Sequence, residues 1–103
     1  MDAATLNKLI RDARIRQDSI LTAKGADYTR HEEDRLSNFR RSARAVGLTP
    51  QIVWAVFFMK HIDAIMAYIK TGHAESEAIE GRIDDAINYL FLLLALIEEG
   101  ELS

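Results

Sequence analysis

The stretch Thr49-Pro50-Gln51-Ile52-Val53-Trp54-Ala55-Val56-Phe57-Phe58-Met59-Lys60-His61-Ile62-Asp63-Ala64-Ile65-Met66-Ala67-Tyr68-Ile69-Lys70-Thr71-Gly72 decides the fold. Threonine before proline is a strong helix start. The threonine stands at the N-cap, and the proline takes the first helical position, where a missing N–H costs nothing. Gly72 supplies the left-handed stop. Between these ends the residues from Ile52 to Ile69 are apolar almost all round. A helix of that kind must be covered all round.

A second such helix follows. It is expected from about Glu75 to Glu99, with Ile83 to Ile97 apolar on every side and Gly100 ending it. Gly81 inside it marks either a close contact or a late start. Upstream, two thinner amphipathic helices are expected. The first runs from about Ala3 to Ala23 and stops at Lys24-Gly25, its stripe of Leu6, Leu9, Ile10, Ala13, Ile20 and Leu21 interrupted by Gln17. The second runs from about Glu32 to Val46, with an inner stripe of Leu36, Phe39, Ala43 and Val46, and ends at Gly47. Two thin helices cannot cover two greasy ones. The expectation is therefore a single all-α domain over residues 1–103, a four-helix bundle whose third and fourth helices are central. A second copy completes the burial, giving a homo-oligomer that is a dimer or a multiple of dimers.

Composition agrees. The 103 residues are 49% hydrophobic and 28% charged, with one proline, five glycines and no cysteine. That is a soluble globular composition with too few turn-formers for a many-stranded β fold. It excludes disulfides, thiolate metal sites and cysteine nucleophiles. The net charge of −3 divides into about +3 over residues 1–48 and about −6 over residues 49–103. Tight binding to duplex nucleic acid is not expected from so weak a basic half. Met1-Asp2-Ala3 does not begin a secretory signal, and the apolar runs Ile52–Met59 and Ala86–Ile97 read as too short or too interrupted for a membrane span. A cytoplasmic protein is expected.

The informative residues are those that break the apolar pattern. Lys60, His61 and Asp63 do so in the third helix, and Asp84, Asp85, Asn88 and Tyr89 in the fourth. Buried carboxylates are paired, neutralised or used. If the two helices pack antiparallel, Asp63 and Asp85 come level. They then hold a divalent cation together, or Lys60 neutralises Asp85 as a buried pair. A second cluster lies at the end of the first helix and beyond it: Lys24, Asp27, Tyr28, Arg30 and His31, with Asn38 and Phe39 following. Lysine and arginine bind phosphate, an aromatic ring stacks on a base, and asparagine reads a base edge. The plain alternative is a polar loop with Tyr28 closing the bundle end. There is no P-loop, no GxGxxG and no His-Glu-x-x-His.

The order Lys24-x-x-Asp27-Tyr28, Asn38-Phe39, Val53…Lys60-His61 and Asp85-x-x-Asn88-Tyr89 resembles phage and bacterial proteins of the nucleotide-modification-associated domain type. It also resembles, more distantly, the MazG-like all-α NTP pyrophosphatases. The likeness spans roughly residues 15–97. In MazG-like enzymes an EExxE helix and an ExxD helix hold the magnesium that activates water. The resemblance places Asp85 at the ExxD aspartate and Asp63 near the last acid of the first motif. Here Met59, Lys60 and Ile62 replace the other acids and Arg82 replaces the glutamate, with Glu80 and Asp84 as partial substitutes. Positive charge where a dication belongs argues against two-metal hydrolysis.

Three readings follow. The first is a nucleotide- or nucleotide-derivative-binding protein, as in a phage accessory protein that sequesters a metabolite or signal. Its ligand set is Lys24, Asp27, Tyr28, Arg30, Asn38, Phe39, Lys60, His61, Asp85, Asn88 and Tyr89. The second is a magnesium-dependent nucleoside triphosphate pyrophosphatase with Asp63, Asp84 and Asp85 as metal ligands and Asp63 and Asp85 catalytic. The third is a helical interaction module with no small-molecule site.

Overall fold

A computed structural model describes residues 1–29, 36–73 and 78–100, with side chains described outside 20–29. Four α-helices follow one another: α1 (Ala3–Thr29), α2 (Ser37–Val46), α3 (Pro50–Thr71) and α4 (Ile79–Glu98). The all-α, four-helix bundle-like fold expected from the sequence is the one observed, and no strand occurs among the described residues. α1 packs against α4 and α2, and α3 packs against α4 and α2, with α3 and α4 the most extensively paired.

The boundaries of α3 follow its punctuation. Thr49 has extended N-cap geometry (φ −92°, ψ 155°), and its backbone carbonyl accepts the N–H groups of Ile52 and Val53 at 3.1 Å each. Its hydroxyl makes no capping bond. At the other end Gly72 is left-handed (φ 80°), and its N–H donates to the Tyr68 carbonyl at 2.8 Å. That conformation is strained for any residue with a Cβ. α2 ends the same way at Gly47 (φ 69°).

Two expected boundaries move. α1 does not stop at Lys24-Gly25 but continues to Thr29. A glycine inside a helix costs only about 1 kcal/mol relative to alanine, too little to end a long helix where no proline follows. α4 begins at Ile79, so Gly81 lies in its first turn, and no described atom stands within 4 Å of where its Cβ would be. The late start explains this glycine, and no close contact does.

The hydrophobic core is small. It joins Leu36, Phe39 and Ala43 of the α2 region, Val53 and Trp54 of α3, and Leu96 of α4. Phe57, Phe58, Tyr89, Leu92 and Leu93 pack around it. Trp54 stacks on Phe58 with ring centroids 4.8 Å apart, and its indole N–H donates to the Tyr89 carbonyl at 2.7 Å. The His61 and Tyr89 rings lie 5.1 Å apart, which fixes the level at which α3 and α4 meet.

No described side chain of α1 enters this core. Its first ten residues, 3–12, are exposed, including Leu6, Leu9 and Ile10 of the expected inner stripe. Among the described side chains of α1 the buried one is Gln17, the position that reads as an interruption of the stripe. The molecule is correspondingly long, 46 × 28 × 27 Å, with a radius of gyration of 15.5 Å. A compact chain of this length comes to about 13 Å. α3 has the length and apolarity of a membrane-crossing helix, with a mean hydropathy of 1.6 over its most apolar window, yet only 11% of that window is buried within the chain.

Candidate functional site

The buried polar residues gather on one side of α4. Asp84, Asp85 and Asn88 are all buried. Spacings of three and four residues keep them on one face. α1 meets that face. Arg16 donates from Nε to Asp84 Oδ2 at 2.9 Å and from Nη2 to Asp84 Oδ1 at 3.3 Å. The fork geometry suits a guanidinium and a carboxylate. The hydrogen bond to Asp84 raises the pKa of the half-exposed Arg16 further above its ordinary value. The guanidinium is therefore charged at any pH at which the chain folds. Gln17, next along α1, is buried as well. Among the described side chains the α1–α4 contact is thus built on polar groups, whereas the other three helices meet through apolar ones.

One group in this region breaks the usual accounting. Asn88 is 4% exposed, and among the described residues neither its Oδ1 nor its Nδ2 has a hydrogen-bond partner. Buried amides are almost always bonded, and each orphaned atom costs about 1–3 kcal/mol. The hydroxyl of buried Ser37, at the start of α2, also has no partner among the described residues.

The acids named as magnesium ligands do not converge. Asp63 is exposed, whereas Asp84 and Asp85 are buried, and Asp84 is held by Arg16. Among the described residues no group of three metal-ligating side chains comes together. The expectation that Asp63 and Asp85 meet is corrected by facing, because Asp63 points outward from α3. Glu80, the partial substitute, is exposed in the first turn of α4. The expected Lys60–Asp85 pair is not formed either. Lys60 is exposed, and its ammonium lies over the Phe57 ring, 5.7 Å from the centroid.

The aromatic candidates are committed to packing. Phe39 is buried in the core, where it meets the Tyr89 ring edge-on at 6.1 Å, so its ring faces are not open for stacking on a base. His61 and Tyr89 are half-buried against each other, and Asn38 is half-buried on α2. Lys24, Asp27 and Tyr28 fall on the last turns of α1, with side chains outside the described residues. Arg30 and His31 lie outside the described residues altogether.

Sequence reasoning missed Arg16 and Gln17. The signal was present, because Gln17 stood where α1 needed an apolar residue, but it read as a defect in the stripe. No known family model matches the chain, and neither a curated protein nor a solved structure matches it.

Proposed function

We propose that the protein binds a nucleotide or nucleotide-derived ligand without hydrolysing it. The observation that carries this reading is the buried, unpartnered amide of Asn88, one turn beyond Asp84 and Asp85. A carboxamide offers a donor and an acceptor side by side, the complement of the paired donor and acceptor on a base edge. A ligand edge bonded there relieves the desolvation penalty of both atoms. The cations of the residue 24–30 segment, Lys24 and Arg30, supply the charge that phosphate binding requires. The outward-facing Asp63, apart from buried Asp84 and Asp85, favours binding over metal-assisted hydrolysis.

The test is a thermal-shift screen of nucleoside triphosphates, cyclic dinucleotides and ADP-ribose, each with and without magnesium. A true ligand at a hundredfold excess over its Kd stabilises by about 2.7 kcal/mol, roughly 10 °C or more in Tm for a domain of this size. Asn88→Leu keeps the volume and removes the orphaned amide. It is expected to raise the stability of the unliganded protein by about 1 kcal/mol or more and to abolish the ligand-induced shift. If no compound raises Tm, or if Asn88→Leu responds like wild type, the reading fails. Release of pyrophosphate with magnesium defeats its non-hydrolytic part.

A further inference from the structure

Among the exposed residues of α3, six form a regular stripe: Ile52, Val56, Met59, Asp63, Met66 and Lys70. Their spacing alternates four and three, the period of a coiled-coil seam. α4 carries a second stripe of the same period: Ile83, Ile87, Leu90, Leu94 and Ile97, with Ile87 half-buried and the others exposed. Inward-facing core positions lie on the opposite side of each helix. Exposed large apolar residues are normal singly, but two continuous seams are not.

The α3 seam is symmetric about His61, and the ends of the α4 seam are equidistant from Leu90, with Ile87 and Leu94 three and four residues from it. About His61, exposed positions pair by equal offset: Ala55 with Ala67, Val56 with Met66, and Met59 with Asp63. About Leu90, Ile83 pairs with Ile97. The two centres lie at one level of the bundle, because the His61 ring rests on Tyr89, the neighbour of Leu90. A two-fold axis crossing the helices at this level lays each seam antiparallel on its own copy.

We propose that a second copy of this chain covers the outer faces of α3 and α4, forming an antiparallel two-fold dimer with the axis level with His61 and Leu90. This rests on the seams alone and is independent of the nucleotide reading. Charge fits the same axis. Lys60 and Asp63 are both exposed, flank the centre and have opposite signs, so each lysine reaches the aspartate of the other copy. The exposed apolar residues of the two seams offer on the order of 700 Å² of surface, comparable with the roughly 800 Å² per partner of a standard interface. A bilayer fits less well, since Lys60 and Asp63 would stand near the middle of the span, where charge is most costly.

Sedimentation equilibrium on the full chain tests this. The expected particle is about 23 kDa, twice the 11.7 kDa of one chain. Lys60→Asp and Asp63→Lys each place like charges together twice across the axis, and each is expected to weaken dimerisation roughly tenfold. The double exchange within one chain restores opposite pairing and recovers wild-type affinity. Leu90→Glu combined with Leu94→Glu yields a monomer whose circular dichroism remains helical, because both positions are exposed within one copy. The proposal is overturned by an 11.7 kDa particle throughout the micromolar range. It is equally overturned by a dimer that ignores the charge reversals, or by partition of wild type into phosphatidylglycerol–phosphatidylcholine vesicles in place of self-association.

Discussion

Leu96→Ala is expected to lower the unfolding free energy by roughly 3–5 kcal/mol, the upper range for truncating a fully buried leucine. Leu96 is 0% exposed and joins α4 to Trp54, Val53 and the α2 cluster. Among the described residues the buried core cluster has only six members. A domain of this size has about 5–15 kcal/mol in total, so the variant is expected to be partly unfolded at 37 °C. Few alternative side chains are available to collapse into the void, which keeps the cavity cost high. Urea titration checks this, with the midpoint falling and the slope unchanged. Leu94→Ala, two residues away and 63% exposed, serves as the control and is expected to change the stability of the single chain by about 0.5 kcal/mol or less. If the two variants lose equal stability, α4 does not present the inner face described.

The second large effect concerns Arg16. Arg16→Met removes the guanidinium that holds Asp84 in its fork, leaving a buried carboxylate without its cation. Stranding a buried charge is among the costliest single changes. Arg16 is half-exposed, so water shares the load, and a Tm drop on the order of 5–10 °C is expected. The sign reverses in the double variant. Arg16→Met with Asp84→Leu removes both charges and fills the space, and its Tm is expected to return to wild type or above. A double variant no better than the single one would mean that the fork is not what Asp84 contributes.

The order and type of the helices were legible in the sequence because its ends are punctuated. Thr49-Pro50, Gly47 and Gly72 each act through local backbone geometry, which requires no knowledge of neighbours. Gly25 misled because a glycine ends a helix only if the chain turns left-handed there, and nothing in the local sequence compels that. Gln17 misled for a related reason. Among the described side chains the α1–α4 contact is polar, so there the rule that inner stripes are apolar runs in the wrong direction. Asp63 and Asp85 show a different limit. Spacing brings positions to one level, but a helix apolar on all sides does not reveal which side faces inward. Asp63 lies on the outward seam and Asp85 on the inward face. Phe39 belonged to the inner stripe of α2 from the outset, and its burial in the core follows from that stripe and not from any ligand. The orphaned amide of Asn88 was foreseen as a polar intrusion, but only the surrounding packing reveals that it lacks a partner.

The polar attachment of α1 has a consequence for how the molecule opens. Among the described side chains, the oily nucleus is furnished by the α2 region, α3 and α4 without help from the first helix. Separation of that helix therefore exposes hydrogen-bonding groups that water readily accommodates, and it leaves the nucleus assembled. Amide protons between residues 3 and 19 are expected to exchange with deuterium through this cheaper, partial excursion, while those around Trp54 and Leu96 wait for the whole chain to come apart. Equal protection along all four rods would mean that the molecule opens as one piece.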